Sequence, residues 1–185
     1  MNGATKRAWN TRDMLYVALA VALMAVCAWI CVPAAVPFTL QTFGVFITAG
    51  LLGKRRGLAA VLVYLLLGIV GMPVFSGFRG GVGVLLGNTG GYLIGFVFTA
   101  LIVGAGVQHR GKGILWLCLW MALGLIACYL FGTLWFYLGY AQGTGEGGLL
   151  SVLAVYVFPF LIPDGFKIAL SAFLITRLQG KIRGL

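Results

Sequence analysis

Acidic side chains are almost absent from this chain: among 185 residues only Asp13, Glu146 and Asp164 carry a side-chain carboxylate, and His109 is the single histidine. That scarcity removes most enzyme chemistry, which needs a nucleophile beside a base, a set of metal ligands, or carboxylates at working distance. Asp13 stands at the start of the first apolar run, where a carboxylate suits a helix dipole, and Glu146 sits in the glycine-rich "QGTGEGG" segment. Neither position suggests catalysis. The stretch "GGVGVLLGNTGG" lacks the Gly-Lys-Ser/Thr ending that holds phosphate and magnesium in a phosphate loop. The chain therefore cannot hydrolyse ATP by that route, and energy for any transport must come from another subunit or an ion gradient. The cysteines Cys27, Cys31, Cys118 and Cys128 fall in apolar runs without a metal-type CxxC pair. They are expected to be buried, inert thiols. No internal repeat is visible, no separate soluble domain fits, and no cofactor or metal is called for.

Charge of either sign is scarce as well. Charged residues make up 9% of the chain against 62% hydrophobic, with a mean hydropathy of +1.07, whereas a soluble domain carries about 25% charged residues. The composition is that of an integral membrane protein. Apolar runs extend over Met14–Val32, Phe43–Leu52, Leu58–Val70, Leu85–Val107, Ile114–Leu138 and, interrupted, Leu149–Leu178, which predicts six spans. A crossing helix needs about 20 residues, so the second and third runs should be tilted, shielded by neighbours or extended by non-helical chain. The first run is longer than the apolar core of a signal peptide, about 7 to 15 residues, and is expected to be retained as a helix.

Basic residues set the orientation, because Lys and Arg concentrate in short cytoplasmic loops. With the N-terminus inside, eleven of the thirteen fall on inner segments: Lys6, Arg7 and Arg12; Lys54, Arg55 and Arg56; Arg110 and Lys112; Arg177, Lys181 and Arg183. Only Arg79 lies in an outer loop, and Lys167 lies within the last run. The net charge of +10 is thus distributed over four inner segments. Nucleic-acid binding would need it gathered on one solvated face with aromatics between.

Three polar clusters remain, all on the outer side by this topology. The segment "CVPAAVPFTLQTF" has no charge, and Pro33 and Pro37 forbid a regular helix through it. At membrane depth such a chain must line protein or a wet cavity, which would offer Thr39, Gln41 and Thr42 beside Phe38 and Leu40; otherwise it is an interfacial loop. In the second cluster Gly87, Gly91 and Gly95 recur every four residues, the spacing that lets membrane helices approach closely. Asn88 beside them needs a partner, either another helix or, with Tyr92 one turn on, a ligand. In the third, Pro159 and Pro163 should break the last run, so that the final helix starts at Pro163 with Asp164 in its first turn. Lys167, three residues on, is within pairing distance. The pair is either a buried salt bridge between helices or a substrate site; ionisable groups in a span cost roughly 2.5–3.5 kcal/mol each and most often mark a substrate path, which favours the site.

The motifs "VPFTLQTFGVF", "GLLGKRRG", "LLLGIVGMPVF", "GVLLGNTGGYLIGF" and "PDGFKIAL", in order and with undisturbed spacing from about Thr39 to Leu170, resemble the BioY family, the biotin-specific S components of energy-coupling factor (ECF) transporters. The resemblance implies an all-α integral membrane protein with the S-component fold: a single domain over residues 1–185, with six transmembrane helices and both termini cytoplasmic. It also implies high-affinity capture of biotin, as transported ligand and not as cofactor, at a prokaryotic cytoplasmic membrane. The partners it implies are an ECF transmembrane coupling protein and two ATPase subunits. Family contacts to biotin map onto Asn88, Asp164 and Lys167, and the segment Val36 to Thr42 matches the family's loop over the pocket. Small residues of the first helix meet the coupling protein in similar S components, and here the pair is Ala18 and Ala22. Biotin's ureido N–H groups suit an acceptor such as Asp164, and Asn88 offers both acceptor and donors. An S component for another vitamin, or a self-sufficient secondary transporter coupled through protonation of Asp164, stay open on the residues alone.

Overall fold

The computed structural model describes residues 9–32, 38–108, 113–139 and 149–182. Lys6, Arg7, Pro33, Val36, Pro37, His109, Arg110, Lys112, Glu146 and Arg183 lie outside these. The described elements are α1 (Thr11–Trp29), β1 (Cys31–Val32), β2 (Phe38–Thr39), α2 (Gln41–Ile69), a 3-10 turn (Ser76–Phe78), α3 (Val82–Leu86), α4 (Gly90–Gln108), α5 (Ile114–Gly139), α6 (Leu149–Tyr156) and α7 (Phe158–Ile182). Among the described residues four helices are long and apolar enough to cross a membrane: α1, α4, α5 and the Phe158–Gln179 part of α7.

The second and third apolar runs are not separated by a basic loop, as the sequence predicts, but run together as α2, broken only at Gly53 (φ 72°, ψ −175°). Only glycine takes such a conformation without strain, and here one residue reverses the chain. Gln41 Nε2 donates to Tyr64 Oη at 2.7 Å, although 23 residues of straight helix would separate them by about 35 Å. The first limb is short, and its Val45, Phe46 and Ala49 are wholly buried. Glycines let its neighbours close in: a Cβ on Gly44 would meet Cys27 of α1 at 3.2 Å, and one on Gly50 would meet Ile175 of α7 at 2.3 Å. Shielding by protein, not length, is how this limb fits an apolar environment.

The glycine spacing on α4 does what small residues do between membrane helices. A Cβ on Gly91 would lie 2.3 Å from that of Trp135, and one on Gly95 would lie 3.0 Å from the Cα of Cys128, so α4 and α5 pack almost backbone to backbone. Gly87 lies before α4, where its carbonyl accepts from Trp135 Nε1 at 3.1 Å.

One end of the bundle collects the basic segments. Asn10 caps α1 in a capping box with Asp13, and Asp13 pairs with Arg56 of the α2 reversal. Arg55 lies over the Trp9 ring, and Gln179 Nε2 of α7 donates to the Gly50 carbonyl at 3.2 Å. Cys27 and Cys128 are buried, but Cys31 is exposed, because α1 ends at Trp29 and leaves it on β1, paired antiparallel with β2 (Cys31 opposite Thr39).

The last run corrects the sequence reading. The break falls at Val157, and α7 begins at Phe158 with Pro163 inside it. Pro159, second in the helix, needs no intrahelical N–H partner, and Pro163 forfeits one bond, to the carbonyl four residues back. Asp164 is therefore seventh in α7, beyond the first turn, and side chains rather than the helix dipole must hold it.

Candidate functional site

At the end of the bundle away from the basic segments lies a cavity of about 240 Å³, bounded by β2, the first turn of α2, the 75–79 turn, α4, α5, α6 and α7. It is a little smaller than the roughly 300 Å³ at which drug-sized pockets begin, so the occupant is small. Phe38, Phe75, Phe96, Tyr156 and Phe160 supply aromatic wall.

Its polar centre is Asp164, which is 2% exposed, with Lys167 at 6%. Lys167 Nζ lies 2.6 Å from Asp164 Oδ1, brought there by the i, i+3 spacing on α7. Thr42 Oγ1, carried in by the α2 N-terminus, donates to the same oxygen at 2.9 Å and accepts from Lys167 Nζ at 3.1 Å. Tyr129 Oη of α5 donates to Oδ2 at 2.5 Å. The ammonium also lies 5.2 Å from the Phe38 ring centre, a cation–π distance. Three helices thus meet on one ion pair.

Counting donors and acceptors shows what is left over. Each carboxylate oxygen can accept two hydrogen bonds and an ammonium can donate three. Oδ1 is taken by Lys167 and Thr42, whereas Oδ2 is taken by Tyr129 alone. Among the described residues this leaves one acceptor place on Asp164 and one donor on Lys167, both side chains lining the cavity. An amide-like group with an N–H beside a carbonyl would fill both.

Of the sequence-derived site residues, Phe38, Thr39, Gln41, Thr42, Tyr92, Asp164 and Lys167 all line this cavity. Gln41 is turned toward Tyr64, which passes the bond on to the Val74 carbonyl at 2.9 Å, so its amide braces the cavity rim. Tyr92 Oη lies 3.3 Å from Thr133 Oγ1. Asn88 is exposed, in the turn between α3 and α4, and its neighbour Thr89 takes the place on the wall. Ala18 and Ala22 do not line the cavity and lie on the exposed face of α1.

Sequence reasoning missed Tyr129 and Arg79. A phenol inside the apolar run "LGLIACYLFG" carries no motif, and Arg79 entered only as an exception to the charge rule, although a lone cation in otherwise uncharged outer loops was a signal. Replacing Tyr129 with Phe removes a hydrogen bond to a charged group and is expected to lower folding stability by about 1.5–3 kcal/mol, measured by unfolding in detergent. Unchanged stability would show that the phenol does not hold Asp164.

Residues 2–184 match the BioY family. A protein of Pyrococcus horikoshii named probable biotin transporter BioY is 41% identical over 172 residues, covering 92% of this chain and 98% of its own. The biotin transporter BioY of Thermotoga maritima is 37% identical over 169 residues, covering 91% and 96%. The chain is also similar to a crystal structure of the S-component for biotin from an ECF-type ABC transporter, with a TM-score of 0.81 and 25% identity over 94% of this chain and 95% of that one.

Proposed function

The chain belongs to the BioY family, the biotin-binding membrane subunits of ECF-type uptake systems, and on that premise we propose that the cavity around Asp164 and Lys167 is where it holds biotin. It is a transport protein and not an enzyme. The observation that carries the proposal is the buried pair with one acceptor and one donor left over. Biotin's ureido group offers an N–H next to a carbonyl, and its apolar thiophane ring suits the aromatic wall.

The finer topology follows from where the charges lie. Six crossings are α1, the two limbs of α2, α4, α5 and α7, with both termini in the cytoplasm of a prokaryotic cell. The support is the end of the bundle at which Arg12, the 54–56 segment and the C-terminal half of α7 gather, together with the preference of basic loops for that side. The cavity then faces outward, where an importer captures its ligand. Residues 1–185 act as one membrane domain, and the energy comes from an ECF coupling protein carrying two ATPases.

Reconstitution tests this. The protein alone in liposomes is expected to bind biotin, and no other vitamin of a panel, without concentrating it. Adding the coupling protein and its two ATPases should confer accumulation that depends on ATP. Accumulation by the lone protein under an imposed proton gradient, lost in Asp164→Asn, would replace this reading with secondary transport, and preference for another vitamin would reassign the ligand.

A further inference from the structure

Three of the cavity-lining residues carry charge: Asp164, Lys167 and Arg79. The first two neutralise each other at 2.6 Å, so Arg79 gives the site an excess of one positive charge. Its guanidinium is mostly uncommitted. Nε donates to the Ser76 carbonyl at 3.1 Å, which uses one of its five N–H donors, and no carboxylate among the described residues pairs with it.

The segment that carries Arg79 is fixed in place. Phe75 N donates to the Arg79 carbonyl at 3.0 Å, and Gly81 N donates to the Gly68 carbonyl at 2.6 Å. Trp29 stacks on Phe78 with ring centres 5.0 Å apart, and its Nε1 donates to the Pro73 carbonyl at 2.8 Å. Phe78 has φ 57°, a strained conformation for a bulky side chain that persists only where the surroundings over-determine it. The backbone that carries Arg79 is thus held at the wall, while its side chain is exposed, so the ordering left to be done on binding falls on that one side chain.

We propose that Arg79 binds the carboxylate of the ligand, which assigns the Asp164–Lys167 pair to the ureido group; this rests on the biotin reading. A planar guanidinium fork matches a carboxylate in a way that an ammonium does not. The opposite assignment, with the ligand carboxylate on Lys167, would bring a second carboxylate beside Asp164, and like charges at that separation repel. Nothing comparable opposes a carboxylate at Arg79.

The experiment titrates biotin and its neutral carboxamide, which share the ureido and thiophane rings, into the unaltered protein, Arg79→Gln and Arg79→Lys. The unaltered protein should prefer biotin by about 10- to 100-fold, the range for hydrogen bonds to a charged group. Arg79→Gln should lose that preference by weakening biotin alone, and its undiminished binding of the carboxamide reports that it is folded. Arg79→Lys should keep part of the preference. Equal weakening of both ligands, or a preference that survives in Arg79→Gln, overturns the assignment. An unaltered protein that binds neither compound overturns instead the biotin reading beneath it.

Discussion

Asp164→Asn is expected to weaken biotin binding by more than about 1.5 kcal/mol, the lower range for losing a hydrogen bond to a charged group, and to destabilise the protein at the same time. The amide oxygen can still accept from Lys167 and Thr42, but its NH2 now faces the Tyr129 hydroxyl that was donating and must turn to accept, and Lys167 is left at 6% exposure without its counter-charge. Breaking a buried pair from one side costs about 3–5 kcal/mol because the remaining charge is uncompensated. Stability and binding can be separated with the double change Asp164→Asn, Lys167→Met, which removes the orphaned charge. Calorimetry should find this variant more stable than Asp164→Asn and still unable to bind biotin tightly. Native affinity in the double variant would make the pair a structural tie between α2, α5 and α7 and move the ligand elsewhere.

The second large effect concerns coupling. Ala18→Trp and Ala22→Trp are each expected to leave biotin binding intact and to abolish uptake. Both residues lie on the exposed face of α1, among Leu15, Leu19 and Leu23, while Val17, Val21, Met24 and Ala28 turn to the core. A tryptophan there does not enter the core of this chain, so the cavity keeps its shape. It does block the close helix approach that small residues permit, which is what the coupling protein would need. Binding and uptake measured on the same preparation decide the matter: parallel loss of both would place this face inside the protein's own packing, and unimpaired uptake would move the docking face off α1.

Some of the site was legible because its geometry is local. Asp164 and Lys167 are three apart, and any helix through them brings them together; Gly91 and Gly95 are four apart, and any helix through them presents a small-residue face. Lipid-exposed and core-facing residues of a membrane helix are both apolar, so periodicity does not tell them apart. On α1, exposed Leu19 and buried Val21 look alike in sequence.

Composition and local spacing by themselves determined that this is a multi-pass membrane protein, that its basic residues gather in a few segments, and that an acid and a base pair within its last helix. The tertiary structure alone decided how that pair is completed. Thr42 and Tyr129 reach Asp164 across 122 and 35 residues of sequence, Gly53 folds two short runs into one reversed helix, and Asn88 stays outside the cavity while Thr89 and Arg79 line it. The reason is the range of the forces involved. Hydrogen bonding along a helix is written in neighbours a turn apart, whereas the meeting of helices depends on which apolar faces interlock, and in a chain this uniformly apolar that is settled by the shape of packed side chains in three dimensions.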